Sequence, residues 1–375
     1  MILPSIRKAS LMCAALMAFP WAAASGAPVD SRETLCPQPL RGRTRPGVFL
    51  LDASTRVLVQ PGATGAWTAA EALVAAWRRP VGLGAPRTAD APAAETGVIL
   101  FQAPSAKAAP LPPEGYRLRV TRERVVVEAN DAAGAFYAVQ TLRQLAPEAL
   151  WAEQPLVMGR PFLPGVEIED APRFRWRGLM IDESRHFIGK PHVLKILDAM
   201  AALKLNRFHW HLADAPGWRI EIKQFPELTT IGATGDLSNS NRPPQFYTQD
   251  EIREIVAYAR ERHITVIPEI ELPAHSTAAL RAYPQLSCTG KPEFMYCASN
   301  PDAYQFLERV LDEVLALFDS EFIHIGGDEC PTSVWKECPR CQALMKREGL
   351  TDERQLQSRM IHHFDRFLAG RGRRL

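Results

Sequence analysis

The stretch Phe322-Ile323-His324-Ile325-Gly326-Gly327-Asp328-Glu329-Cys330 decides how the rest of the chain reads. A short apolar run of β-branched and aromatic residues reads as a buried strand, and the paired glycines let the backbone turn sharply at its end. Two acids then stand side by side. Adjacent carboxylates at the mouth of a buried strand repel each other and lose hydration, so they are expected to differ in pKa and in role. The plainer alternative is that Asp328 caps a following helix and Glu329 lies in its first turn, near the favourable end of the helix dipole.

Working outward, the same pattern occurs three more times upstream. Residues 177–181 read as a strand ending in Asp182-Glu183-Ser184-Arg185-His186, followed by a helix over 193–203. Residues 205–211 read as a strand ending at Asp214, and 248–262 as a helix whose Thr248 and Glu251 form a capping box. Residues 264–270 read as a strand ending in Glu271 and His275, and helices follow over 303–318 and 353–368. Alternating strand and helix units imply a parallel sheet, and polar residues at every strand's C-terminal end are the mark of a (β/α)-barrel active face. Taken singly, Arg185 reads as a surface ion-pair partner, Asp214 as a turn residue and His275 as a helix cap. Their shared position at one face favours a common site with Asp328 and Glu329.

The 375 residues exceed one average domain. A hydrophobic fraction of 46% and a charged fraction of 23% are those of an ordinary globular protein. A formal net charge of +2 gives no electrostatic reason to expect nucleic acid or an anionic membrane as partner. Residues 1–27 have the layout of a secretory signal peptide: Arg7 and Lys8, an apolar run over 11–19, then small residues over 22–27. No segment is long enough to span a bilayer, so the expectation is an exported protein, periplasmic or extracellular, with no membrane span after cleavage. Removing Cys13 leaves an even number of cysteines, and export favours disulfides over metal binding for Cys288, Cys297, Cys330, Cys338 and Cys341; the partner of Cys36 is open.

Residues 28–165 read as a smaller α+β support domain, with a helix over 70–77, strands over 97–101, 116–120 and 124–129, and a helix over 131–145. Prolines and acids over 161–172 read as the boundary to a catalytic domain over 170–375.

With these residues assembled, the chain resembles bacterial glycoside hydrolase family 20, the β-N-acetylhexosaminidases. The resemblance rests on Arg177-Gly178-Leu179-Met180-Ile181-Asp182-Glu183-Ser184-Arg185-His186-Phe187, on His209-Trp210-His211-Leu212-Ala213-Asp214 with Gly217-Trp218-Arg219, on Pro268-Glu269-Ile270-Glu271-Leu272-Pro273-Ala274-His275, and on His324-Ile325-Gly326-Gly327-Asp328-Glu329. Gly115-Tyr116-Arg117-Leu118 and the run over 136–142 resemble the family's small N-terminal domain. The resemblance implies α/β architecture, with an N-terminal α+β domain before the first half of a TIM-type barrel. It implies exo-acting release of terminal β-linked N-acetylhexosamine from an oligosaccharide or glycoconjugate, with no cofactor and no metal. The sugar's own 2-acetamido oxygen would attack the anomeric carbon, Glu329 would serve as acid and then base, and Asp328 would hold the acetamido N–H. Arg185 would bind sugar hydroxyls, while Asp214 and His275 would support the acid pair. Ala213-Asp214-Ala215 has one acid where many relatives have two, and Ala274 stands where glycine is common. The resemblance further implies that the sequence corresponds to the N-terminal portion of such an enzyme. Four units cannot close an eight-stranded barrel, and an open half exposes two sheet edges and an apolar inner face.

Two rival readings remain at this point. His209 and His211 alternate on one face of a strand near Asp214, as a metal-dependent barrel hydrolase would place a ligand pair. A non-catalytic glycan-binding protein of the same fold would keep Asp328 and Glu329 as relics.

Overall fold

A computed structural model describes residues 35–63, 65–89, 95–151 and 160–375. The signal-peptide expectation lies outside these residues.

The first domain is one seven-stranded sheet in the order β1-β7-β5-β6-β4-β2-β3, from strands β1 (Arg41–Leu50), β2 (Arg56–Val59), β3 (Arg87–Thr88), β4 (Val98–Gln102), β5 (Tyr116–Val120), β6 (Arg124–Ala129) and β7 (Phe162–Asp170). Helices α1 (Ala66–Val81) and α2 (Ala132–Leu145) bury Leu73, Trp77, Tyr137 and Leu142 against it. The helix expected over 131–145 is capped by Asp131, whose side chain accepts from the Gly134 N–H at 2.7 Å. The first domain, expected to end at 165 within a boundary over 161–172, runs a few residues further. Strand β7 pairs with β1 and β5, burying Leu163, Val166 and Ile168 in the first core, so the sheet runs to Asp170. Pro164 and Gly165 imitate a linker here, and the outward side chains that hide the alternation are Glu167 and Glu169, paired with Arg43 and Arg117.

The second domain begins with β8 (Gly178–Asp182), α3 (Lys190–Ala202), β9 (Arg207–Ala213), α4 (Glu227–Thr230), α5 (Gln249–Arg260) and β10 (Thr265–Ile270). It continues with α6 (Thr277–Ala282), α7 (Pro301–Leu317), α8 (Ser333–Glu337), α9 (Pro339–Glu348) and α10 (Glu353–Ala369). Strands β8, β9 and β10 form a parallel sheet, and β9 and β10 are almost wholly buried, as continuous apolar runs in parallel sheets are. Both halves of the capping box at Thr248 are formed. Residues 322–325 extend the sheet beside β10, though through alternate residues only: His324 N–H donates to Pro268 O at 3.1 Å and Ile270 N–H to His324 O at 3.1 Å. The fourth strand is therefore a pair of bridges rather than a full ladder, and Phe322 bridges onward to Arg374.

This is the first half of a TIM-type barrel. Its inner face is uncovered among the described residues: Leu179 is 41% and Met180 49% exposed, along a trough of about 560 Å³ that Ile267, Ile323 and Ile325 also line. The support domain grips the other end of the strands. Lys204, just before β9, donates to Asp170 at 2.8 Å and to the Tyr116 hydroxyl at 2.9 Å; Arg177, just before β8, donates to Glu114 at 2.6 Å. The N-terminal ends of the barrel strands are thus anchored.

Six cysteines are described, and all are free thiols. The expected disulfides are therefore not formed among the described residues.

Candidate active site

The C-terminal ends of the four strands contribute the five expected residues. After β8, Asp182 accepts the Arg185 N–H at 2.9 Å and its guanidinium at 2.8 Å, which folds Arg185 back over the strand tip. Two fully buried residues brace that turn. Glu183 accepts from the Tyr247 hydroxyl at 2.7 Å and the Ile188 N–H at 2.8 Å, and burial raises its pKa. Arg219 donates to five backbone carbonyls, among them Ser184 O at 2.8 Å and Gly235 O at 2.7 Å. A Cβ at Gly217 would collide with that guanidinium.

After β9, Asp214 is the hub. Only 2% exposed, it meets Arg185 through Oδ2 at 2.7 Å, His211 Nε2 through Oδ2 at 3.3 Å and His275 Nδ1 through Oδ1 at 3.0 Å, and it also accepts from the Ala215 N–H. Burial alone would raise its pKa. The His211 and Ala215 hydrogen bonds and the charge of Arg185 outweigh burial and hold it below the usual carboxylate value. His275 sits in the left-handed region at φ 52, is buried, and packs edge-on against Phe294 at 4.6 Å. Asp214 holds its Nδ1, so Nε2 points outward to Glu329 at 3.4 Å and Asp328 at 3.8 Å.

The expected five residues, Arg185, Asp214, His275, Asp328 and Glu329, are thus brought into one chain of contacts. Neither acid caps a helix, since the next one starts at Ser333 with Thr332 as its cap. The loss of hydration expected at the pair is corrected, however. The side chains of Asp328 and Glu329 are 67% and 77% exposed. Glu329 is itself in the left-handed region at φ 41, after Gly326 at φ 65 and Gly327 at φ 102.

The buried acid pair lies one strand over, at Glu269 and Glu271, on one face of β10 and its extension. Burial pushes both carboxyls up, but Glu269 is met by His209 at 2.6 Å and His324 at 2.7 Å and is held well below the ordinary value. Glu271 lacks such partners. Burial, with Glu269, Asp328 and Asp214 nearby, pushes it up to about 9. Gly326 lies against the Glu271 carboxyl, and a Cβ there would collide with it. His211, between these acids and Asp214, would be lowered by burial but is raised by the hydrogen bond it donates to Asp214 and by the charge of Glu269. Sequence reading missed the roles of Glu269, Glu271, Asp182 and His211. The available signal was alternation: Glu269 and Glu271 share a face as His209 and His211 do, and the strand register sets Glu269 opposite His211.

Glu271 gives a stability prediction. Its folded pKa exceeds the ordinary carboxyl value of about 4.3, so between that pH and about 9 the folded state holds a proton that the unfolded state has released. Stability from this group is complete below that window and falls as pH rises through it. Glu271→Gln is expected to flatten the decline of Tm between pH 5 and 9. An unchanged slope in thermal melts across that range would contradict it.

Three sets of side chains here bring possible metal-ligand atoms within 4.8 Å of one another: His209/Glu269/His324, His211/Asp214/Glu271 and His275/Asp328/Glu329. In each, a histidine nitrogen already faces a carboxylate. His209 and His211 do lie on one face, but both engage Glu269.

The glycosyl hydrolase family 20 catalytic-domain model matches residues 174–375, and that family's domain 2 matches residues 33–171. A beta-hexosaminidase of Porphyromonas gingivalis is 45% identical over 278 residues, covering 72% of this chain and 36% of its own length. The crystal structure of a Bacteroides fragilis beta-N-acetylhexosaminidase superposes with a TM-score of 0.77 at 36% identity, over 91% of this chain and 65% of that one. A Vibrio harveyi exo beta-N-acetylglucosaminidase in complex with N-acetylglucosamine gives a TM-score of 0.79 at 33% identity, over 92% and 54%. The chain spans 36% to 50% of the length of the first three curated relatives it matches.

Proposed function

We propose, from the premise that the chain belongs to glycosyl hydrolase family 20, that it carries the acid machinery of an exo-acting glycosidase releasing terminal β-linked N-acetylhexosamine with retention. The observation that carries the reading is the relay from Arg185 through Asp214 and His275 to the Asp328–Glu329 pair. Asp214 stays ionised and can only accept, so it fixes Nδ1 of His275 as the donor and leaves Nε2 to exchange a proton with Glu329. Glu329 then delivers that proton to the leaving oxygen and recovers it from the attacking water. Family 20 is itself a recognised exception to the scheme of paired enzymic carboxylates. Asp328, beside the acid, holds and orients the acetamide whose oxygen attacks the anomeric carbon, and its negative charge offsets the positive charge that develops there. Arg185 offers its remaining donors to sugar hydroxyls at the non-reducing end. The amino-terminal pattern supports export to the periplasm or beyond, where such glycans are met.

Substrate assistance is tested by removing the assisting group. A nitrophenyl N-acetyl-β-glucosaminide is expected to be cleaved at least about 10³-fold faster than the matching β-glucoside, since attack by a tethered, oriented group replaces a bimolecular step. Equal rates would exclude it. The exposure of Asp328 and Glu329 favours one second reading, a glycan-binding role without turnover. Binding of N-acetylglucosamine by a chain that hydrolyses neither substrate would select that reading instead.

A further inference from the structure

Behind the acid pair lies a cluster the proposed chemistry does not use. Cys288 and Cys297 belong to the loop that follows β10 and α6, while Cys338 and Cys341 stand at the start of α9. Their four sulfur atoms lie within 4.8 Å of one another, and three of the side chains are buried. Cys341 Sγ is 3.7 Å from Cys297 Sγ and 3.9 Å from Cys288 Sγ. A disulfide needs about 2.0 Å between its sulfurs, and one sulfur cannot bond to two partners. One ion can. With metal–sulfur bonds of about 2.3 Å, a tetrahedral centre separates its sulfurs by about 3.8 Å.

We propose that Cys288, Cys297, Cys338 and Cys341 form a tetrathiolate site for a single zinc ion, which staples the loop over 287–299 to the segment that follows Glu329. Soft thiolates in a tetrahedral set select zinc over harder divalent cations. The surroundings suit such a centre. Trp335, Met295, Leu344 and Met345 form a dry apolar shell. The Ser299 hydroxyl lies 3.3 Å from Cys297 Sγ and 3.4 Å from Cys341 Sγ, as hydroxyl donors to thiolates do. Arg340, held on the Ser287 and Cys288 carbonyls at 3.3 and 3.2 Å, supplies positive charge beside four thiolates on one divalent ion. Pro339 opens α9 at its first turn, and the helix places Cys338 and Cys341 on the same side. Binding converts four thiols to thiolates and releases their protons to solvent, with no change of oxidation state.

The staple has a mechanical consequence for the site. The loop it fixes carries Phe294, against the His275 ring, and Tyr296, whose N–H donates to Pro273 O at 2.9 Å and whose carbonyl accepts from Trp335 Nε1 at 3.0 Å. Both sides of the relay from His275 to Glu329 are therefore held from behind.

The test is metal content and thiol state of the full chain, isolated without chelator. Mass spectrometry is expected to find one zinc per chain and an intact mass with every cysteine reduced. Thiol titration in denaturant is expected to release that zinc. Zinc-free protein whose mass is lower by two hydrogens for each bond formed would overturn the proposal in favour of disulfides. Reduced, zinc-free protein that takes up neither zinc nor cobalt(II) would also overturn it. Cys297→Ser is expected to lose the metal and Cys330→Ser, outside the cluster, to keep it; zinc retained in Cys297→Ser refutes the assignment. Should that variant fail to fold, the cobalt-loaded parent decides, because a spectrum without thiolate charge-transfer bands excludes the site.

Discussion

Replacing Glu329 by glutamine is expected to lower kcat on aryl N-acetyl-β-glucosaminides by about 10²–10⁴-fold, the usual contribution of a positioned general acid–base group. Glutamine fills the same space but has no exchangeable carboxyl proton. The expected loss is therefore chemical, and KM should change much less than kcat. Dependence on the leaving group separates this cause from general damage. A nitrophenolate departs without much help, whereas a sugar hydroxyl must be protonated, so the deficit should widen steeply from nitrophenyl to chitobiose-type substrates. Asp328→Asn should behave differently, slowing every leaving group alike, because its charge serves the acetamide and not the departing oxygen. Identical kcat in parent and Glu329→Gln across a leaving-group series would remove Glu329 from the mechanism. The exposure of Glu329 sharpens the test, since a residue so free of packing can be changed without disturbing the core.

What was legible in the chain, and what was not, divides by burial. Strands β9 and β10 were readable because parallel strands covered on both faces are nearly continuous apolar runs, and α5 because Thr248 and Glu251 announce its start. Strands β1 and β7 were not. Their outward side chains are Arg41, Arg43, Glu167 and Glu169, a charged ladder that looks like solvated loop until each arginine is seen beside its glutamate. The candidate site residues were proposed by position, from the polar ends of four strands, and the structure joins all five in one chain of contacts. Their electrostatics were not found. One strand's sequence does not say how deep its end is buried, so the divergent pair was expected at Asp328 and Glu329, whereas burial creates it at Glu269 and Glu271. The cysteines show the same gap: pairing arithmetic works along the chain, while four sulfurs meeting around Cys341 is a fact of the fold.

Asp214→Ala is expected to be the most damaging single change to the site, lowering stability by about 3–5 kcal/mol, the cost of removing one partner from a buried ionic cluster. The residue is 2% exposed and is the common neighbour of Arg185, His211 and His275, so its loss leaves the guanidinium and both imidazoles without their shared anion. Asp214→Asn should be milder in stability, because the amide oxygen can still accept from Arg185. It should remain severe in kcat, by about 10²-fold, since a displaced catalytic contact of this kind costs that much and an amide no longer fixes which nitrogen of His275 carries the proton. The pH dependence has two signs. The folded pKa of Asp214 lies below the unfolded value of about 3.9, so its stabilisation is whole above that pH and is lost as pH falls through the folded value. The folded pKa of His211 is raised, so its share is whole below about 6.5 and is lost as pH rises through the folded value. Asp214→Asn should therefore be closest to the parent in strongly acidic solution and furthest from it near pH 5, and should keep part of its penalty in alkaline solution, where the Ala215 N–H and Arg185 still meet the carboxylate. Chemical denaturation at a series of pH values measures that difference directly, and a penalty that stays constant from acid to alkaline pH would show that Asp214 is packed there without being ionised.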